Sequence, residues 1–109
     1  MRSKLKHLIQ IAEMKYLSDQ RAYNKLSQRQ GDLNEISARL DESRYIASTD
    51  AFDANTQQRS FQWGRWIDAS QAKINAELFV LAGKDVAQRA QLEKSYGRYL
   101  AIRMVSKNK

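Results

Sequence analysis

Residues 67–92 read IDASQAKINAELFVLAGKDVAQRAQL, and the spacing within them decides the fold. Ile67, Gln71, Ile74, Leu78, Leu81, Asp85, Gln88 and Leu92 recur at alternating steps of four and three, and the stripe continues through Ser95, Tyr99 and Ile102. Steps that average about 3.5 residues keep one side chain per half-heptad on the same helical face. The first half of the chain repeats the rule: Leu5, Ile9, Ala12, Tyr16, Asp19, Tyr23, Leu26, Gln30, Leu33, Ser37 and Leu40. Two sustained heptad stripes predict two long amphipathic helices.

Between the stripes lies ASTDAFDANT, residues 47–56. Its Ser, Thr, Asp and Asn side chains favour turns and caps by bonding local backbone. The spacing places helix one at about residues 3–46, a loop at about 47–55 and helix two at about 56–106, with Asp53, Asn55 or Thr56 as candidate caps. A short connection makes an antiparallel hairpin the economical arrangement. The expected fold is therefore all-α, two long helices in an antiparallel coiled-coil hairpin forming a single domain. If facing residue numbers sum to about 107, Leu5 meets Ile102, Leu26 meets Leu81, Leu33 meets Ile74 and Leu40 meets Ile67. The same register brings Asp19 near Gln88 and Tyr23 near Asp85.

Composition supports this reading. The 109 residues contain no proline, so no position is barred from a helix by a missing donor. There is no cysteine either, which excludes disulfides, thiolate nucleophiles and cysteine-based metal sites. No apolar run approaches the ~18 residues of a membrane span. The opening MRSKLKHLIQIAEMK has its apolar core broken by Gln10, Glu13 and Lys15, unlike a secretory signal, and a cytoplasmic location is expected.

Catalysis finds little footing. His7 is the sole histidine and has basic neighbours, with no acid partner or nucleophile motif beside it. Asp32 with Glu35 and Asp41 with Glu42 lie on charged helix faces and read as solvated. No glycine-rich phosphate loop, HExxH or calcium loop is present, and no cofactor is expected. A helical hairpin also lacks the deep pocket that substrates need.

Binding is better supported. Ala69, Ala72, Ala76, Phe79, Gly83, Val86 and Ala90 recur at threes and fours nearly opposite the seam. Small side chains there admit another helix, although alanine is also the best helix former on an exposed face. Gly31, Gly64, Gly83 and Gly97 fall inside the helices, either as local weakness or as points of close approach. Phe61, Trp63 and Trp66 are expected to seal the turn end of the core with Phe52, Tyr45 and Ile46, the alternative being a partner hot spot.

The charge is uneven. Nineteen Lys and Arg oppose twelve Asp and Glu, for a formal +7. No carboxylate precedes Glu13 and none follows Glu93, so an antiparallel hairpin gathers Arg2, Lys4, Lys6, His7, Arg98, Arg103, Lys107 and Lys109 at its open end. Such a field attracts acidic protein, nucleic acid or anionic lipid.

A basic hairpin of about this length, with Asn55-Thr56-Gln57 leading to Arg65-Trp66-Ile67-Asp68 and the amphipathic stretch from Gln71 to Leu78, resembles the FliJ family of flagellar type III export and its YscO-type virulence relatives. The resemblance implies a stalk in the central hole of a hexameric export ATPase, without nucleotide of its own. It implies that Arg2, Lys4, Lys6, Arg98 and Arg103 meet the acidic inside of the ring. Ala72, Ala76 and Phe79 would contact the membrane export gate or a secretion chaperone. Two other readings stand beside it. One is a helical adaptor that self-associates weakly into a dimeric four-helix bundle through the alanine-rich face. The other is a basic coiled coil on nucleic acid, against which the interspersed acids and the lack of a recognised motif weigh.

Overall fold

In a computed structural model the chain is all-α. Residues 2–49 and 54–107 are described, as helix α1 (Arg2–Thr49) and helix α2 (Ala54–Lys107). Both helices outrun their expected ends at the connection, where 47–49 and 54–55 are helical instead of loop. Asn55 and Thr56 therefore lie inside α2 and cannot cap it, while Asp53 falls outside the described residues. The extension follows from Ala47 and Ala54, which oppose helix formation least of all residues.

Every position of both predicted stripes is buried or half-buried. The chain divides into two compact units, a terminal one of residues 1–28 with 82–109 and a central one of residues 29–81.

In the central unit the core is Leu33 and Ile67, the latter fully shielded from solvent. Polar ties flank it. Arg29 grips Glu77 through two nitrogens at 2.8 and 3.1 Å. Arg44 donates to Asp68 and to Gln71 Oε1, and the Gln71 amide donates to Asp41 at 2.7 Å and to the Ser37 carbonyl at 3.3 Å. As α1 partners advance from Arg29 to Arg44, α2 partners retreat from Glu77 to Asp68, so the helices run antiparallel.

The terminal unit is antiparallel too, and its largely apolar seam is interrupted by Asp19, Asp85, Gln88 and Ser95. Leu26 and Ser95 are its buried side chains among the described residues. Tyr16 packs on Tyr96 and Tyr99, ring centroids 4.9 and 5.9 Å away. Arg89 donates to the Tyr23 hydroxyl at 3.2 Å and lies over that ring. Asp85 Oδ1 and Gln88 Oε1 are buried without a partner, as is Asp19 Oδ2.

The central contacts of Arg29 with Glu77 and of Ser37 with Gln71 fit the expected register, whereas the tyrosines of the terminal unit depart from it. Tyr23 and Asp85 come together as expected, bridged by Arg89, which bonds both. Tyr16 lies between one and two turns further along α2 than the expected pairing puts it. The reason is geometric. In an antiparallel pair a seam side chain drops into a hole between residues of the facing helix instead of onto its own equivalent. The sum of about 107 stacked like on like.

Candidate binding surface

Charge separates between the two units. The terminal unit holds thirteen Lys and Arg against four Asp and Glu, a formal +9. The central unit holds six against eight, a formal −2. In the central unit three arginines are tied to carboxylates: Arg29 to Glu77, Arg39 to Glu35 and Arg44 to Asp68. In the terminal unit Lys4, Lys6 and Arg98 are exposed and no described carboxylate pairs with them. Lys4 and Lys6 stand at the positive end of the α1 dipole, where cations cost helix stability instead of adding to it. Helix energetics do not account for them.

Two electrostatic environments are shifted. Burial disfavours ionised Asp19, yet hydrogen bonds from Lys15 and Ser95, the charge of Lys15 and a bond from Gln91 together hold its pKa below the usual value. Ser95 has one hydroxyl proton, which serves either Asp19 or, at 3.1 Å, the Leu92 carbonyl. In the central unit the Arg29 hydrogen bond lowers Glu77, and Glu77 in turn raises Arg29.

On one side of the terminal unit the helices leave shallow apolar grooves. One is lined by Leu5, Leu8, Ala101, Ile102 and Val105. A second shares Leu8 and Ile102 and adds Ile11, Ala12, Lys15, Ser95 and Arg98. A third joins Leu8 to Ser3, Lys4 and His7. Leu8 and Val105 are each half exposed, and Ile11 is 62% exposed. The result is a continuous apolar strip edged by cations.

The predicted partner-binding residues are distributed as follows. Lys4 and Arg98 line this strip; Lys6 and Arg103 do not. Arg103 instead lies 5.5 Å over the Tyr99 ring, its Nη1 3.5 Å from that hydroxyl. The side chain of Arg2 is outside the described set. Ala72, Ala76 and Phe79 are exposed on the central unit, Phe79 at 83%.

The aromatic cluster is not core. Phe61, Trp63, Trp66 and Tyr45 are all exposed, Trp63 at 43% and Trp66 at 52%. The two tryptophans stack on each other at 4.8 Å, and Arg65 lies over Phe61. They fall off the seam, which passes through Ile67 and Gly64, so stacking is the shelter left to them. Phe52 and the side chain of Ile46 lie outside the described residues. The apolar strip was not foreseen, although Leu8 and Ile11, three apart and off the seam, are its signal.

Among the described residues no group of three His, Asp or Glu could hold a metal ion, and no helix is long and apolar enough to cross a membrane. Fold and charge define an antiparallel helical-hairpin protein with a strongly cationic terminal unit. No family model, curated protein or solved structure matches the chain.

Proposed function

We propose that this chain is a non-enzymatic, cytoplasmic coiled-coil component of a type III protein-export apparatus, flagellar or related. Its terminal unit serves as a stalk in the hexameric export ATPase, and its central unit contacts the export gate or a chaperone. The observation that carries the reading is the charge partition, +9 against −2. An acidic ring interior is the complement of the terminal unit, and long-range attraction would speed their encounter. The resemblance to the FliJ family supplies the identity of the ring.

Adding the chain to the cognate ATPase should raise its turnover. Reversing Lys4, Lys6 and Arg103 to Glu should remove most of that increase while leaving the helical signal intact. Full stimulation by the triple variant would reject the contact.

The exposure of Phe79 beside Ala72 and Ala76 favours one second reading, self-association of the central unit. Sedimentation across a concentration series would show dimers if it holds, and monomers throughout if it does not.

A further inference from the structure

We propose that the apolar strip of the terminal unit is the seat of an acidic amphipathic helix from a protein partner, which completes a three-helix bundle. The inference rests on reading this unit as a cationic docking end, but not on which ATPase or other protein supplies the helix.

Three observations converge on it. The first is shape. The strip is concave, lying between two antiparallel helices with Leu5 and Ile102 in its floor and Leu8, Ile11 and Val105 along its walls. A groove between paired helices accepts the ridge of a third helix. A bilayer surface is flat and would engage a convex apolar face instead.

The second is the thin core. Among its described residues the terminal unit buries one hydrophobic side chain, Leu26, while its seam carries Asp19, Asp85, Gln88 and Ser95. Three further apolar groups, Leu8, Ile11 and Val105, stand half exposed or more beside that seam. A third helix would bury these side chains, and apolar area removed from water is the main favourable term in association.

The third is charge. Lys4 and Arg98 line the strip with no described carboxylate paired to them, and Lys94 lies one turn from Arg98 on the same helix face. Lys15 also lines it, though Asp19 holds its ammonium at 3.1 Å. An occupant with Glu or Asp flanking its apolar ridge meets cations on both edges. A second copy of this unit, itself at +9, would be repelled.

The test uses the full chain and a labelled synthetic helix of about 18 residues, five turns, with leucines on one face and glutamates beside them. A scrambled peptide of identical composition controls for bulk charge. Fluorescence anisotropy should show binding of the patterned peptide at least about tenfold tighter than the scrambled one. Ile11→Gln and Val105→Gln should each weaken it several-fold, whereas Met14→Gln, exposed but outside the strip, should not.

Because the chain has no cysteine, Ile11→Cys and Met14→Cys can each carry a single environment-sensitive dye. Peptide should shift the emission of the dye at 11 and leave that at 14 unchanged, which locates the contact even if a polar variant folds poorly. Equal binding of the scrambled peptide, no dye shift at 11, or tighter binding to phosphatidylserine vesicles than to the peptide would each overturn the proposal. The Lys6→Glu with Arg103→Glu variant lies outside the strip. Loss of ATPase stimulation in it with peptide binding intact separates the functional reading from this one.

Discussion

Alanine at the four helical glycines gives the sharpest test of whether they are weakness or points of approach. All four have right-handed backbone, since no glycine has positive φ, so alanine fits each without strain. A Cβ built at Gly31, Gly64, Gly83 or Gly97 meets nothing within 4 Å. Within this chain, then, no glycine is required by crowding. Glycine costs about 0.8–1 kcal/mol relative to alanine in a helix interior, so replacing all four should add about 3–4 kcal/mol. The sites are well separated in sequence, and their effects should add. For a chain of this size that corresponds to a rise in Tm of roughly 12–16 °C. The assay is thermal and urea unfolding followed by circular dichroism at the helix band, for each single variant and the quadruple. Any single substitution that lowers the midpoint would mean that the space beside that glycine is filled in solution, by a neighbour copy or a bent helix. ATPase stimulation supplies a second arm. Wild-type stimulation with raised Tm assigns the glycines to simple weakness; lost stimulation with raised Tm assigns them to a partner that must come close.

Ile67→Ala should destabilise the central unit by about 2–5 kcal/mol, because a fully buried side chain is removed and the seam has little else to collapse into its place; urea unfolding measures it. Asp19 and Glu77 both ionise more easily folded than unfolded, so they contribute stability above the unfolded carboxylate range that is lost as pH falls through about 4 and below. Urea midpoints at descending pH should therefore drop in the acid range, and Asp19→Asn should flatten part of that drop. Asp85→Leu should raise stability by about 1–3 kcal/mol, since it removes a buried unpartnered oxygen and gives up an exposed Arg89 contact of 3.4 Å. A fall in its unfolding midpoint would show that Asp85 Oδ1 is satisfied in solution.

The helices and their buried faces were legible because burial follows heptad spacing. From Leu5 to Leu40 and from Ile67 to Ile102, each stripe residue lies at least half-buried. Register in the terminal unit was not legible. The stripes alternate steps of three and four, so sliding one helix by about a turn returns apolar side chains to apolar neighbours, and nothing in the spacing favoured setting Tyr16 against Tyr96 and Tyr99. The tryptophans misled for a related reason. Trp63 and Trp66 are apolar enough for a core, but they fall three residues apart on either side of Gly64, and it is the glycine that occupies the seam. The cationic end was readable from carboxylate positions alone. The strip beside it was not, because Leu8 and Ile11 follow so close on Leu5 and Ile9 that two faces overlap in one stretch of sequence.

The two units differ in a way that single-chain stability does not explain. In the central unit Gln71 is held by Ser37, Asp41 and Arg44, and among the described residues one buried polar atom, Arg44 Nε, lacks a partner. In the terminal unit three carboxyl or amide oxygens are left bare at the seam, and cations sit at the wrong end of a helix dipole. Each feature costs free energy in the isolated chain, and each is reversible by one substitution to leucine or glutamate. A hairpin shaped for its own stability would carry its apolar side chains in the terminal seam and its acids at the start of α1. This one sets Asp19, Asp85, Gln88 and Ser95 among the apolar side chains of that seam, and leaves Leu8, Ile11 and Val105 half exposed or more beside it with cations around them. Under the docking proposal, an acidic partner covering these groups would offset those costs by binding the folded terminal unit.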